Sequence, residues 1–576
     1  MKKLILKSNS KLIFLYSSAL LLICILVGIS SLDFYSGEQY GYWYLNKIFL
    51  NEFFFPEISR SPIYVIYLSL FNWLDTPYNY YAEAITTNFL LSLSLFYLFK
   101  SEYNKFYIFL IISLSIGFFF NLIPYPQALA LSFLNFAIIL RRKNSLFVYL
   151  FSYLLIICAV YSRITYITVF VLFIFFDLFN LILDFKKKAQ FIHKKIFIIL
   201  FVVLFLFSTN YLFKSNISES KFNNGYFQSL EWKPSKSNSN IDIAFQVNFN
   251  FLYYEKNKNE IDNDKKDFFY TNNVAFDGAE TIVDSIISNP KFVFWGILKN
   301  TSHLAPIILN KFNSRTYFTS CSGIGHSCYT NYFYIGSLLI LFLLFNYYFF
   351  FKKKYENDFD IKIYALVNYA LILSTVLAMP KIRYMTPFIF FLIPFNFYLI
   401  NLITKKIKIK YLKMFISIFI IFSFSYFNFT STYLKDYISI NNFYNKKNYL
   451  KNYINNLNSL NSNLQKCKSI FASFPTFILS NNYNIEENKV FSPADIPPFG
   501  NYKSKDHLQI YKNIEIDCLL LDRAMKISSG SNRGTGSDYD LRRKNYINPF
   551  LLSNKIYVKE EFDYGQLGKL YIYSIE

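Results

Sequence analysis

Histidine and cysteine are scarce, with four and six copies in 576 residues. No cysteine stands in CxxC spacing, and no Cys or His spacing suggests a zinc site. Acidic residues are also few, 37 against 59 lysines and arginines, which leaves a net charge of +22. In a soluble chain that excess would suggest nucleic acid. Here many of the cations stand in short clusters between apolar runs, a positive-inside pattern that argues against a nucleic-acid partner. No small-residue cleavage site follows the first apolar run, so that run reads as a retained span and not as a signal peptide. The Gly-rich stretch 528–538, SSGSNRGTGSD, lacks the spacing of a phosphate loop and reads as a flexible loop. The acidic run 260–267 lacks the order of a calcium loop and reads as solvated.

What is present is apolar and aromatic: 53% of residues are hydrophobic and 21% are Phe, Trp or Tyr. Apolar runs at 12–32, 82–99, 105–121, 123–140, 145–162, 164–183, 195–213, 332–351, 361–379, 384–404 and 411–430 predict membrane spans. The run 62–75 is too short to cross with comfort and predicts a re-entrant or interfacial piece. The basic clusters 141–143, 186–188, 352–354 and 405–406 then all face the cytoplasm. The fold class expected is an α-helical polytopic membrane protein of about 11 to 13 transmembrane helices. Its N-terminus is expected in the cytoplasm of a bacterial inner membrane, with a first external loop at 33–61 and a large external loop at 214–331. Within the latter, 274–311 reads as helical with a break at Asn289-Pro290, its Phe292, Phe294, Trp295 and Leu298 suited to a membrane surface. The tail 431–576 changes character and predicts a small extracytoplasmic α/β domain. Its β-like runs are 469–474, 489–491, 517–521, 557–558 and 570–573, with helical runs at 446–465 and 504–513. Cys321 with Cys328, and Cys467 with Cys518, are candidate disulfides in an oxidising compartment. Cys24 and Cys158 read as inert core residues.

The stretch 33–67 carries the chemistry-bearing pattern. Asp33 and Glu38 follow the first run. Glu38, Tyr42, Leu45, Phe49 and Phe53 recur at helical spacing, which predicts a helix lying in the membrane interface. Arg60-Ser61-Pro62-Ile63-Tyr64 opens the next run. This layout resembles the first external loop of GT-C glycosyltransferases, and in particular the family 39-like bacterial membrane proteins related to protein mannosyltransferases. Arg163 in YSRIT and the run PKIRYMTP around Lys381, Arg383 and Tyr384 are similar to further motifs of those proteins. The resemblance implies a GT-C-like fold over roughly 10–430. It implies transfer of a sugar from a polyprenyl-phosphate donor to a glycan, lipid or protein acceptor, with inversion at the anomeric carbon.

Such a transfer needs a base for the acceptor hydroxyl and cations for the leaving phosphate. Glu38 and Asp33 are the candidate bases, with the choice between them open. Arg383, Tyr384, Arg163, Arg60 and Lys381 are the candidate phosphate ligands, since an arginine near lipid is costly unless it is paired or wet. Tyr42, Tyr64 and His303 are candidate groove residues. No metal site is expected, and the need for a divalent cation stays open. The rival readings are an O-antigen polymerase or ligase, a lipid-linked glycan flippase without catalysis, and an inactive scaffold. An internal repeat would favour the flippase, and none is found.

Overall fold

The computed structural model describes Ser18 and residues 37–52, 61–76, 78–99, 125–141, 145–184, 189–215, 274–279, 281–312, 440–472, 489–491, 517–521, 556–564 and 567–575, with parts of 245–257 and 363–377. The runs 105–121, 332–351, 384–404 and 411–430, the helix 504–513 and the Cys321–Cys328 pair lie outside the described residues.

The first described helix, α1 (Gly37–Glu52), packs on the short α2 (Pro62–Leu68), which passes into a 3-10 turn at Ser69–Phe71. Pro62 suits the first helical position, where its missing N–H has no partner to lose. Ser61 before it takes the left-handed region at φ 61° and closes the turn through the Val65 N–H, 3.0 Å from its carbonyl. Asn46 locks α1 to α2. Its amide donates to the Val65 carbonyl at 2.7 Å and to Ser69 Oγ at 2.9 Å, and its Oδ1 accepts from Asn72 at 2.7 Å.

Five longer helices follow: α3 (Tyr78–Phe99), α4 (Tyr125–Arg141), α5 (Leu146–Ser162), α6 (Ile167–Asp184) and α7 (Ala189–Ser215). Leu91, Leu95 and Leu98 of α3 share one core with Leu134 and Ile138 of α4, Ile156 of α5, Phe170 and Phe173 of α6, and Val202 of α7. Ile363, Val367 and Leu371 complete it. Between α5 and α6 the chain breaks at Arg163, whose backbone is extended (φ −155°, ψ 112°), and a 3-10 turn at Ile164–Tyr166 restarts the helix. Further on, α8 (Ile282–Ser288) is capped by the Thr281 hydroxyl, which accepts from the Asp284 N–H. It breaks at Asn289, and α9 (Pro290–Phe312) begins. Phe245, Phe249, Phe276 and Phe292 stack around this break.

The tail forms α10 (Ile440–Leu464) and the strands β1 (Ser469–Ala472), β2 (Lys489–Phe491), β3 (Cys518–Leu521), β4 (Ile556–Asp563) and β5 (Lys569–Ile575). The sheet order is β2-β1-β3-β5-β4. β2, β1 and β3 run parallel; β5 and β4 join antiparallel. A disulfide links Cys467, at the end of α10, to Cys518, the first residue of β3. β4 lies at an edge, is irregular between Val558 and Glu560, and exposes Lys559, Glu560, Glu561 and Asp563. One apolar cluster joins α1, α2 and the start of α3 to Leu457, Leu460 and Leu464 of α10 and to Ile470 and Leu520 of the sheet.

The structure corrects the expected fold class. Among the described residues no helix is long and apolar enough to cross a membrane. Helices α4, α5 and α6 have 17, 17 and 18 residues, about 26 Å of rise, short of the ~30 Å hydrocarbon core. The first half of α3 carries Glu83, Thr87 and Asn88, all buried. In α7 the unbroken apolar stretch is 196–207, flanked by Lys195 and Ser208. Three local expectations change with it. α1 is not a helix lying in an interface, since Tyr42, Trp43, Tyr44, Leu45 and Asn46 are all buried against protein. Arg141, expected in a surface cluster, is buried and paired with Asp177. Phe292, expected to meet a membrane surface, is also buried, although Phe294 and Leu298 are exposed.

Candidate functional site

Of the sequence-derived site residues, the structure brings Tyr42, Tyr64 and Arg163 together. Tyr42 comes from α1, Tyr64 from α2, and Arg163 from the break after α5. The break matters because it frees Arg163 from the helix surface, while its N–H still bonds the Ala159 carbonyl at 2.8 Å. Arg163 Nη1 donates to the Tyr42 hydroxyl at 3.4 Å. The Tyr42 and Tyr64 rings meet edge to face, centroids 5.1 Å apart and planes at 88°. Tyr166, two residues into the 3-10 turn, is fully buried; burial raises its phenol, and the Arg163 charge pulls it back.

Glu38 is the second residue of α1, one helical turn before Tyr42. His303 lies on α9. Asp33, Arg60, Lys381, Arg383 and Tyr384 lie outside the described residues.

The structure adds a residue that sequence reasoning missed. Glu83 of α3 is fully buried, and its Oε1 accepts from the Tyr64 hydroxyl and the Thr87 hydroxyl, each at 2.9 Å. Thr87 Oγ1 lies 3.0 Å from the Tyr67 hydroxyl. Thr87 has one proton to give, so the chain runs Tyr67 to Thr87 to Glu83. Glu83 Oε2 has no hydrogen-bond partner. Burial pushes the carboxyl up to about 8, while the Thr87 and Tyr64 hydrogen bonds work against that rise. The raised value favours the neutral carboxyl near pH 7, with Oε1 accepting both hydrogen bonds. Its signal was in the sequence: Glu83 and Thr87 stand four apart in a run otherwise read as apolar, which puts them on one helix face. Lys47, one residue after Asn46, is a second missed group, its ammonium lowered to about 8 by burial.

Chemically, the cluster offers a guanidinium beside a phenol, a carboxylate position one turn away on α1, and a buried carboxylic acid behind the aromatic pair. Arginine with a phenol suits an anionic oxygen, since both donate hydrogen bonds to it. Among the described residues no three His, Cys, Asp or Glu side chains come together as a metal site would require. No family model, no curated protein and no solved structure matches this chain.

Proposed function

We propose that the chain transfers a sugar from a polyprenyl-phosphate donor to an acceptor hydroxyl on a glycan, lipid or protein. The observation that supports this most is the approach of Arg163 to Tyr42 one turn from Glu38. The acceptor oxygen attacks the anomeric carbon as the bond from that carbon to the phosphate oxygen breaks. Glu38 takes the acceptor proton, and the phosphate leaves with its new charge held by the Arg163 guanidinium and the Tyr42 hydroxyl. Attack opposite the leaving group inverts the anomeric centre. Reaction on the outer side of the cell fits the Cys467–Cys518 disulfide, which persists in an oxidising compartment.

The test is transfer of labelled sugar from polyprenyl-phosphate donors, presented in mixed micelles, by wild type, Glu38→Gln and Arg163→Gln. Glu38→Gln should lose turnover, on the order of 100-fold or more, while still binding donor. Arg163→Gln should weaken donor binding as well. Equal transfer by all three proteins rejects the assignment. Consumption of a lipid diphosphate-linked oligosaccharide alone would favour the polymerase or ligase reading.

A further inference from the structure

The buried acid and the Arg163–Tyr42 pair are linked through Tyr64. Tyr64 stands between them: its hydroxyl bonds Glu83 at 2.9 Å, and its ring packs edge to face on Tyr42, which receives Arg163. We infer that Glu83 is a positioning residue: its neutral carboxyl, buried at the α2–α3 contact, accepts from Tyr64 and through Tyr64 holds Tyr42 and Arg163 in register for an anionic phosphate. This deepens the transfer reading and rests on it for the identity of the anion.

Glu83 has no exposed surface. Among the described residues the groups facing Glu83 are Tyr64 and Tyr67 from α2 and Thr87 from its own helix, and no cation pairs with it. A neutral carboxyl is tolerated there, because Oε1 is satisfied twice. A carboxylate would leave a charged Oε2 buried without a donor, a state that burial penalises heavily. Ionisation therefore favours opening of the α2–α3 contact to water. Because Tyr64 is fully buried, it cannot follow that opening and still keep its ring on Tyr42.

The experiment measures affinity of the full chain for polyprenyl phosphate in mixed micelles from pH 5 to pH 8.5. Wild-type affinity should fall about tenfold between pH 5 and pH 8, as the competent fraction falls with the proton. Glu83→Gln, which keeps an uncharged side chain with an acceptor, should bind without that fall. Tyr64→Phe keeps the acid but cuts the link, and should bind weakly at every pH. Amide hydrogen exchange of α1 and α2, corrected for intrinsic rate, is the second measurement. Protection should drop as pH rises from 5 to 8 in wild type and not in Glu83→Gln. If no phosphate binds at any pH but the exchange pattern holds, the transfer reading fails and the Glu83 linkage stands. If Glu83→Gln responds to pH as wild type does in both measurements, or wild type responds in neither, the linkage is wrong.

Discussion

Arg141 on α4 and Asp177 on α6 meet at 2.7 Å with side chains 2% and 11% exposed, a buried ion pair at the heart of the helical core. The pair is not left bare. Tyr153 donates to the same Asp177 oxygen, Arg141 Nε donates to Ser152, and the guanidinium lies over the rings of Tyr149, Tyr153 and Phe173. Removing one partner strands a charge in the core, at a cost of about 3–5 kcal/mol. Asp177→Ala should lower the unfolding free energy by that amount, read from the shift of the denaturation midpoint. The double change Arg141→Met with Asp177→Leu should recover most of it, because neither charge remains.

The Glu83 acid predicts how stability depends on pH. Its pKa is about 8 in the folded chain against an ordinary value of 4.5. Between those values the folded state holds a proton that the unfolded state has lost. Its contribution is therefore fully present below about pH 4.5 and declines as pH rises to about 8, at up to ~1.4 kcal/mol per pH unit. Denaturant titrations of wild type and Glu83→Gln at pH 5, 6.5 and 8 should show a falling difference between the two proteins. A constant difference would mean that the acid is already ionised in the folded chain.

Gly296 in α9 faces the ring of Phe249, and a Cβ there would run into Cε1 of that ring. Phe249 is fully buried, stacked on Phe245 and edge to face with Phe292, so it has little room to retreat. Gly→Ala in a helix ordinarily stabilises by up to ~1 kcal/mol. Here overpacking should reverse the sign and cost about 1–3 kcal/mol. Thermal unfolding of Gly296→Ala checks it, and a rise in Tm would contradict the packing described.

The Cys467–Cys518 link closes a loop with a sequence separation of 51 residues. Opening it by reduction, or by Cys467→Ser with Cys518→Ser, should destabilise the sheet by about 2–4 kcal/mol. Alkylation and mass analysis of the intact chain should find these two thiols unreactive until reductant is added. Hydrogen exchange in β1 and β3 should then rise ahead of that in α4 and α5.

How much of this was legible follows from what a sequence pattern records. The strands at 469–472, 489–491 and 518–521 were readable, because short aliphatic runs bounded by polar residues have few other uses. Tyr42 and Tyr64 stood out as aromatics near a helix start. Glu83 and Arg141 did not. One sat inside a run whose mean hydropathy hid it, and the other inside Arg141-Arg142-Lys143, which reads as a solvated cluster. The span reading failed for a related reason. Hydropathy averages over a window, so it registers neither where a helix stops nor which polar residues it carries: α4, α5 and α6 stop at 17, 17 and 18 residues, and α3 holds Glu83, Thr87 and Asn88. Only packing shows that Leu91, Ile138, Ile156 and Phe173 cover one another. It also shows that one polar residue among them, Asn135, donates across helices to Ser94 at 3.0 Å.

The charged, irregular β4 has a consequence for crowding. An open strand edge invites a neighbour's strand, and charges with a break in the ladder discourage it. Lys569 already bonds Glu561 at 2.7 Å, and Lys466 bonds Glu560 at 3.0 Å. An incoming strand would have to displace both pairs and match an irregular ladder. At the other edge, β2 offers three residues among the described ones. Copies of this tail can therefore stand side by side at high local density without zipping into a shared sheet, so a dense array of the protein keeps each sheet its own.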